Sequence, residues 1–240
     1  MLIDVHMHAG DFTDPFDAAL DADGLAGIFT AHELDAGMVF CRRNALTLEI
    51  IEKIPQAYGF YWADPTDPRH LGEAREWLTS PQIKGVKFHP LMDGYYPGSP
   101  TLDPIMELIG ETGRAALFHT GHAPFSEPLQ VGELIMRHPD VPVILGHAGH
   151  GNVFYVNAAI TLAARYPLVF LEPSGMPMGH KIAIMERTAP GRTLFGSDVP
   201  CHNWLDERDR VLRSGLDDDE LDCVMGRNAE RLFFPEGLPR

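Results

Sequence analysis

The sequence predicts an α/β fold, a single closed (β/α)8 barrel of the TIM type, from three observations. Short apolar runs rich in β-branched and aromatic residues recur eight times along 240 residues. Most of these runs precede a longer segment whose apolar residues have helical spacing. No glycine-rich phosphate loop follows the first run, which disfavours the alternative, an open doubly wound sheet. Alternating strands and helices form a parallel sheet, and eight such units favour its closure into a barrel.

The individual elements follow from the same pattern. The predicted strands cover residues 2–8, 36–41, 57–64, 83–90, 115–121, 141–149, 167–175 and 192–200. The predicted helical segments cover residues 46–56, 70–80, 103–113, 127–140, 152–167, 179–191, 205–215 and 216–233. Because no linker, repeat or low-complexity segment interrupts this order, we expect one domain over residues 1–240.

Composition excludes several classes of partner. A formal net charge of −15 repels phosphate backbones, so we do not expect nucleic acid as a partner. No apolar run is long enough to cross a bilayer, and the N-terminus lacks the pattern of a signal peptide. The three cysteines are too widely spaced for a disulfide framework or a metal knuckle, which fits a reducing cytoplasm. We therefore expect a cytoplasmic protein with a small-molecule partner and no membrane partner; homo-oligomerisation is left open.

The first predicted strand, LIDVHMH, ends in two histidines one residue apart. Strand residues alternate between faces, so Asp4, His6 and His8 are expected on one face and the intervening apolar residues on the other. Two imidazoles on one face can chelate a divalent ion. The alternatives are a solvated edge or a hydrogen-bonded pair of core histidines, and the rest of the chain decides between them.

Polar side chains recur at the ends of the other predicted strands. In chain order they are Lys87 and His89, His119 with His122 beyond it, His147 with His150 beyond it, Glu172 and Ser174, and Asp198. A barrel brings all these strand ends to one mouth. Taken singly, a histidine here is explained by core packing and Asp198 by a turn cap. Burying so many imidazoles and carboxylates together is costly unless a metal ion binds them, so the pattern predicts a metal site.

Six motifs in order resemble the amidohydrolase superfamily. They are IDVHMHAG, GVKFHP, LFHTG, ILGHAG, LFGSDVP and, in the last helix, GRNAERLF. The first matches the D-x-H-x-H motif of the superfamily. The resemblance covers nearly the whole chain, and it is to the amidohydrolase-related branch that includes aminocarboxymuconate-semialdehyde decarboxylase. It implies a metal-dependent enzyme on a TIM barrel.

The resemblance also implies roles for individual residues. It makes His6, His8, His119 and Asp198 the metal ligands, and it makes Asp198 and His147 the catalytic residues. His147 matches a histidine that binds a second metal or lies beside the nucleophilic water. Imidazole and carboxylate ligands without thiolate suit Zn²⁺ first, and also Mn²⁺, Fe²⁺ or Co²⁺.

The number of metal ions depends on Lys87. This residue stands where several binuclear amidohydrolases carry a carboxylated, bridging lysine, which with His147 would hold a second ion. Much of the branch binds a single ion without a bridging lysine, and one ion is favoured over two. A free Lys87 would instead pair with Asp4 or bind a substrate carboxylate. His89 shares the face of Lys87, nearer the mouth, and is a candidate substrate contact; a packed histidine is the alternative.

Further substrate contacts are expected from loops. The segment 90–104 is rich in glycine, proline and tyrosine, and its position after the fourth strand predicts a lid or specificity loop. Tyr96 in this loop and His122 after the fifth strand are the predicted substrate-binding residues.

The function expected from these residues is hydrolysis of a C–N or C–O bond in a small organic substrate through a metal-activated water. The alternative is a non-oxidative decarboxylase acting on a small unsaturated or aromatic carboxylic acid at the same metal. A decarboxylase needs a cation near the metal, and Arg42 and Arg43 are the main candidates; this scarcity favours the hydrolase. A non-catalytic metal-binding barrel is disfavoured because Asp198 is present as a proton carrier.

Overall fold

The computed structural model describes residues 1–12 and 17–239. Its strands are β1 (Ile3–Met7), β2 (Gly10–Phe12), β3 (Ala18–Leu20), β4 (Ala36–Val39), β5 (Ala57–Ala63), β6 (Ile83–Phe88), β7 (Ala115–His119), β8 (Val143–Gly146) and β9 (Val169–Glu172). Strand β1 and strands β4 to β9 form one parallel sheet in which neighbours follow chain order. Strands β2 and β3 form a separate antiparallel ribbon, which the sequence pattern does not predict.

The closing segment (residues 192–199) takes the place of the predicted eighth strand. Thr193 pairs with Leu171 in β9, and Val199 pairs with Met7 in β1, each as an isolated parallel bridge. The segment is not a regular strand, because Asp198 has a φ of +55°, outside the range of extended backbone. These pairings nevertheless join the two edges of the sheet. The predicted barrel is therefore confirmed, with one irregular strand.

Helices follow the barrel strands on the outside. They are α1 (Ala22–Ala31), α2 (Asn44–Lys53), α3 (His70–Trp77), α4 (Pro90–Asp93), α5 (Asp103–Glu111), α6 (Pro128–Arg137), α7 (Val153–Arg165), α8 (His180–Thr188), α9 (Trp204–Leu212), α10 (Asp218–Asp222) and α11 (Asn228–Phe233). Each predicted helical segment overlaps one of these helices, except that segment 216–233 contains both α10 and α11, which a π-helical turn joins. The pattern misses α1 and the short α4. Across the described residues, no helix has the length and hydrophobicity needed to span a membrane.

Side-chain caps explain where several helices begin. The first amide groups of a helix have no partner within it, and short polar side chains supply one. Asn152 accepts the N–H of Phe154 at 2.9 Å before α7. Asp217 and Glu220 cap α10 reciprocally, which explains why the acidic run in this region begins a helix.

Apolar side chains pack on both faces of the sheet. The larger cluster lies between the strands and the helices. The smaller cluster fills the barrel interior with residues such as Val5, Phe60 and Leu117. Phe234 from the C-terminal end contacts Tyr58 near the start of β5, at 4.8 Å between ring centroids. The interior is therefore filled from the strand N-termini upward, and the opposite end is left for polar groups.

The face alternation expected for β1 is wrong at one point. Asp4 pairs with Gly37 and Met7 with Val39, so three steps in β1 match two steps in β4. This is a β-bulge, which reverses the alternation. Val5 and His6 consequently both face the interior, and Asp4 faces outward towards α9. The bulge is what separates Asp4 from the two histidines.

The GRNAERLF motif fastens the last helix to the closing segment. The fully buried Asn228 donates to the carbonyl of Thr193 at 2.8 Å and to the carboxylate of Glu186 at 3.2 Å. Glu186 also accepts the N–H groups of Gly191 at 2.7 Å and Thr193 at 3.1 Å. One asparagine side chain thus satisfies buried polar groups of both α8 and the closing segment.

We expect Asn228→Ala to lower the free energy of unfolding by about 2 kcal/mol, because it leaves buried acceptors without a donor. Chemical denaturation followed by circular dichroism measures this loss. Glu230→Ala on the same helix is the matched control, and it should change the free energy by less than about 0.5 kcal/mol. Equal effects of the two substitutions would contradict the role of Asn228.

Candidate metal centre and active site

A cavity of about 800 Å³ opens at the C-terminal ends of the barrel strands. Of the strand-end residues singled out from the sequence, eight line it: His8, Lys87, His89, His119, His122, His147, His150 and Asp198. His6 lies beneath them and is fully buried. These eight residues therefore share one cavity, as expected for a barrel mouth.

Three of the predicted ligands converge on one point. His6 Nε2 lies 3.3 Å and His8 Nε2 3.1 Å from Asp198 Oδ1. The ligand atoms of these three residues all lie within 4.8 Å of one another, and all three side chains are buried. In the closing segment, Leu194 packs inside the barrel and Phe195 packs outside, and Asp198 faces the cavity.

Hydrogen bonds on the far side of each ring fix the position of its proton. His8 Nδ1 lies 2.9 Å from the carbonyl oxygen of Phe40, which can only accept. His6 Nδ1 lies 2.5 Å from the Glu172 carboxylate. Both rings therefore carry hydrogen on Nδ1, and in the neutral form each turns the lone pair of Nε2 towards Asp198.

This arrangement fits a metal ion. The Nε2 lone pair of His8 and the Asp198 oxygen are both acceptors, and at 3.1 Å they repel each other unless a proton or a cation lies between them. His6 Nε2 meets the same carboxylate oxygen. Two imidazoles and one carboxylate form a donor set that divalent transition metals favour.

Burial sets the charge of the surrounding histidines. Loss of solvation, with help from the Lys87 cation, lowers the pKa of His6 and of His89 well below the usual value. Loss of solvation likewise lowers the pKa of His119 well below its usual value and that of His147 to about 3. At neutral pH these rings are uncharged, and each keeps a nitrogen lone pair for a ligand or a proton.

Glu172 organises the site, although the sequence pattern assigns it no role beyond a polar strand end. Its carboxylate accepts from His6 Nδ1, from the N–H of Ser174 at 2.6 Å and from the hydroxyl of Ser174 at 3.0 Å. The N–H of His147 lies 3.3 Å away. A Cβ on Gly196 would approach Glu172 to 2.6 Å, so the glycine makes room for this carboxylate.

His147 is held beside the three ligands. Its Nδ1 lies 3.2 Å from the carbonyl oxygen of Ser174, which fixes the hydrogen on that nitrogen. Its ring centroid lies 4.8 Å from that of His6. The position agrees with the neighbourhood expected for this residue, and its catalytic role stays a prediction.

His119 lies in the cavity wall but outside the three-ligand group. Its Nε2 is 3.1 Å from His122 Nδ1, and its ring stacks on that of His89 at 3.9 Å. Metal ligation by His119 stays a prediction. Ligation through Nε2 would require the hydrogen bond between His119 and His122 to break.

The tautomer of His89 is set by the loop that follows it. The N–H of Met92 donates to His89 Nδ1 at 3.2 Å, which leaves His89 Nε2 as a donor in the neutral ring.

Lys87 points to the ligand set and not to Asp4. Its Nζ lies 3.5 Å from His6 Nε2 and 4.8 Å from the centre of the Phe40 ring. Burial lowers the pKa of this amine to about 8. The expected alternative pairing with Asp4 is wrong, because the bulge turns Asp4 to the outside of the barrel.

The loop after β6 lines the cavity with Met92 and not with Tyr96, the residue expected to contact the substrate. Tyr95 is packed in the outer core, and Tyr96 is partly exposed and does not line the cavity. Met92 and Trp62 form the cavity wall instead. Asp93, whose side chain is almost fully buried, accepts from Trp62 Nε1 at 3.1 Å and from Arg42 at 3.2 Å. The loop therefore shapes one wall of the cavity through Asp93.

Cavity residues outside the site predicted from the sequence include two arginines and a histidine. Arg42 and Arg43 line the mouth, although they were considered only as anchors for a decarboxylase. His202 also lines it, with Nε2 3.6 Å from Asp198 Oδ2. In the sequence, the one indication of this residue is that a histidine follows Asp198 by four positions.

The fold and this donor set define a metal-dependent barrel enzyme, and comparison with known proteins agrees. The amidohydrolase family model matches residues 3–234, so the chain belongs to the amidohydrolase family. No curated protein sequence matches the chain.

Solved structures share the fold at low sequence identity. The 2,6-dihydroxybenzoate decarboxylase from Rhizobium has a TM-score of 0.77 at 16% identity, covering 98% of this chain and 99% of that one. A 5-carboxyvanillate decarboxylase from Novosphingobium aromaticivorans, complexed with manganese, has a TM-score of 0.77 at 13% identity, covering 97% and 96%. A probable 2-pyrone-4,6-dicarboxylic acid hydrolase from Acinetobacter baumannii has a TM-score of 0.72 at 15% identity, covering 97% and 98%. Decarboxylases and a hydrolase thus share this barrel.

We expect Glu172→Gln to weaken metal binding by roughly 10- to 100-fold, because the carboxylate that orients His6 is lost. Titration of the metal-free protein with Zn²⁺ in competition with a chromogenic chelator measures the dissociation constant. Glu186→Gln is the matched control: it removes another buried carboxylate, remote from the cavity, and should lower stability without changing metal affinity. Unchanged affinity in folded Glu172→Gln would show that Glu172 does not support the ligand.

Proposed function

We propose that the protein is a metal-dependent hydrolase of a C–N or C–O bond in a small organic substrate. The observation that supports this most directly is the placement of the Asp198 carboxylate. Its Oδ1 faces His6 and His8, and its Oδ2 lies on the side of His202. This arrangement supports two roles for one side chain, holding a metal and carrying a proton.

The proposed centre holds one divalent ion through His6, His8 and Asp198, with His119 as the fourth ligand. Zn²⁺ suits this set best, and Mn²⁺, Fe²⁺ or Co²⁺ are alternatives. A second ion would need Lys87 and His147. The free amine of Lys87 lies 3.5 Å from His6 Nε2 and offers no bridging carboxylate, so one ion is proposed.

The roles of the protein groups follow from their positions. When bound, a divalent ion supplies Lewis acidity, which polarises the substrate and makes water more acidic. Asp198 takes the proton of the attacking water at Oδ2 and returns it to the leaving group. His147, neutral and with its hydrogen held on Nδ1 by Ser174, accepts a hydrogen bond from that water at Nε2. His89 and His122 contact the substrate from the opposite wall.

Decarboxylation is the second candidate, and a specific observation favours it. Arg42 and Arg43 both line the cavity, and Lys87 is buried at its base. These cations suit a substrate carboxylate. The sequence favoured a hydrolase because few arginines fall near strand ends. That argument is weaker in the folded protein, because two arginines line the cavity. On this route, Asp198 would deliver a proton to the substrate carbon.

We expect Asp198→Asn to fold and to cut turnover by about 100-fold or more, because the amide keeps a ligating oxygen but cannot accept the proton. Steady-state kinetics of the metal-loaded variant measure the loss, with metal content determined on the same sample. Glu207→Gln, which alters a carboxylate behind His202, is a control expected to have a smaller effect. Near wild-type turnover in metal-loaded Asp198→Asn would assign proton transfer to another group.

A substrate screen separates the two reactions. We expect the metal-loaded protein to cleave members of a panel of lactones and amides, 2-pyrone-4,6-dicarboxylic acid included. The readout is one acid equivalent for each lactone opened and one amine for each amide cleaved. The same panel includes 2,6-dihydroxybenzoate and 5-carboxyvanillate, with CO₂ release as the readout. Release of CO₂ without hydrolysis would assign the decarboxylase. We infer a cytoplasmic location for either enzyme.

A further inference from the structure

Asp4 is a buried carboxylate that the proposed reaction does not use. It lies in β1 two residues before His6, and none of its surface is exposed. The bulge in β1 turns it away from the cavity, towards α9 on the outside of the barrel. It therefore touches neither the ligand atoms nor the substrate cavity.

Three donors surround this carboxylate. Asp4 Oδ1 accepts the backbone N–H of His6 at 3.1 Å and that of Ser197 at 3.1 Å. Asp4 Oδ2 accepts the indole Nε1–H of Trp204 at 3.0 Å. The carboxylate is thus paired at both oxygens, as a buried charge requires.

The hydrogen bond from the His6 N–H to Asp4 stabilises the bulge in β1. A bulge disturbs the regular ladder and leaves a residue without its usual pairing. Here the side chain of Asp4 takes up the N–H of His6 within the bulge. This contact holds His6 in the turned conformation that brings its ring to the interior, 5.1 Å from the ring of His8 between centroids.

The hydrogen bond from the Ser197 N–H crosses the seam of the barrel, where β1 adjoins the closing segment. Ser197 directly precedes Asp198, and its N–H shares Asp4 Oδ1 with His6. The N–H of Asp198 then donates to the carbonyl of His6 at 2.7 Å. One carboxylate oxygen thereby fixes the backbone of two metal-ligand segments relative to each other, on either side of the closure.

The third bond anchors Asp4 from outside. Trp204 begins α9, and its ring stacks on that of His32, the residue directly after α1, at 3.9 Å with 7° between the planes. Both helices are packed on the barrel wall, so the indole donor is held in place by tertiary contacts. The position of Asp4 is therefore set by helices and not by the strand alone.

We propose that Asp4 is a positioning residue of the metal centre, which sets the spacing of His6 and Asp198 through their backbone amides. This inference rests on the proposed function, because it needs a metal to bind at these residues. It explains why an acidic residue precedes the two histidines in the sequence although it binds nothing in the cavity.

Asp4→Asn tests this role with Co²⁺ as the probe. The amide keeps the size of the side chain but cannot accept from His6, Ser197 and Trp204 together. We expect the Co²⁺ dissociation constant to rise by roughly 10- to 100-fold and the visible absorption of the bound ion to change, as for other residues that orient ligands. Titrations are expressed per folded molecule, with circular dichroism as the measure of folding.

Asp35→Asn is the matched control. Asp35 also accepts a backbone N–H near β1, that of Leu2 at 2.8 Å, but on the surface. Its Co²⁺ affinity should stay within about twofold of the wild type, the range of ordinary surface substitutions. If Asp4→Asn does not fold, Trp204→Phe removes only the indole donor, and it should weaken Co²⁺ binding and alter the spectrum in the same direction.

The outcomes distinguish this inference from the proposed function. Failure of the wild-type protein to bind Co²⁺ would overturn the metal centre and this inference with it. Wild-type binding together with unchanged affinity and spectrum in folded Asp4→Asn would overturn only the role of Asp4. For a non-folding Asp4→Asn, an unchanged affinity and spectrum in Trp204→Phe would do the same.

Discussion

The site depends on one electrostatic constraint, the close approach of acceptor atoms in a buried place. His6 Nε2 and His8 Nε2 both face Asp198 Oδ1, at 3.3 and 3.1 Å. Neither ring can relieve this contact by moving its hydrogen to Nε2, because Glu172 and the Phe40 carbonyl hold that hydrogen on Nδ1. A divalent cation removes the repulsion. An ion bound here would therefore stabilise the folded barrel.

Barrel closure creates this arrangement. The candidate ligands His6 and His8 lie in β1 and directly after it, and Asp198 lies in the closing segment, so the three meet where the first and last strands adjoin. Backbone strain concentrates at the same end of the barrel. His147, Ala148, His150 and Asp198 all have positive φ, between +43° and +62°. Such strain persists only where the surrounding structure fixes the backbone, which here is the filled interior below and the hydrogen bonds of Asp4 and Glu172 beside it.

The cavity differs in charge from the molecule as a whole. The chain carries a net charge of −15, whereas Arg42 and Arg43 line the mouth of the cavity and Lys87 lies at its base. A divalent ion bound as proposed would add to this local positive charge. These cations would attract an anionic molecule that the outer surface repels, and the attraction would weaken as salt is added. Phe12, Leu46, Trp62 and Met92 offer apolar surface for the rest of such a molecule.

The sequence alone determined the alternation of strands and helices, because hydrophobic periodicity depends on local geometry. It also determined that polar side chains end strand after strand, which in a parallel barrel places them at one mouth. His6, His8 and Asp198 were identified in this way, and the structure brings their ligand atoms together. What it did not show is how each side chain is held.

Only the tertiary structure decided the outward position of Asp4, the organising role of Glu172 and the place of His202 beside Asp198. Strand alternation predicts one face for Asp4 and His6, and a single inserted residue in the pairing with β4 reverses that prediction. Tyr96 was expected at the substrate and lies outside the cavity, because the loop packs Tyr95 into the core and presents Met92 instead. Register, bulges and loop packing depend on contacts between residues distant in the chain, and no local pattern encodes them.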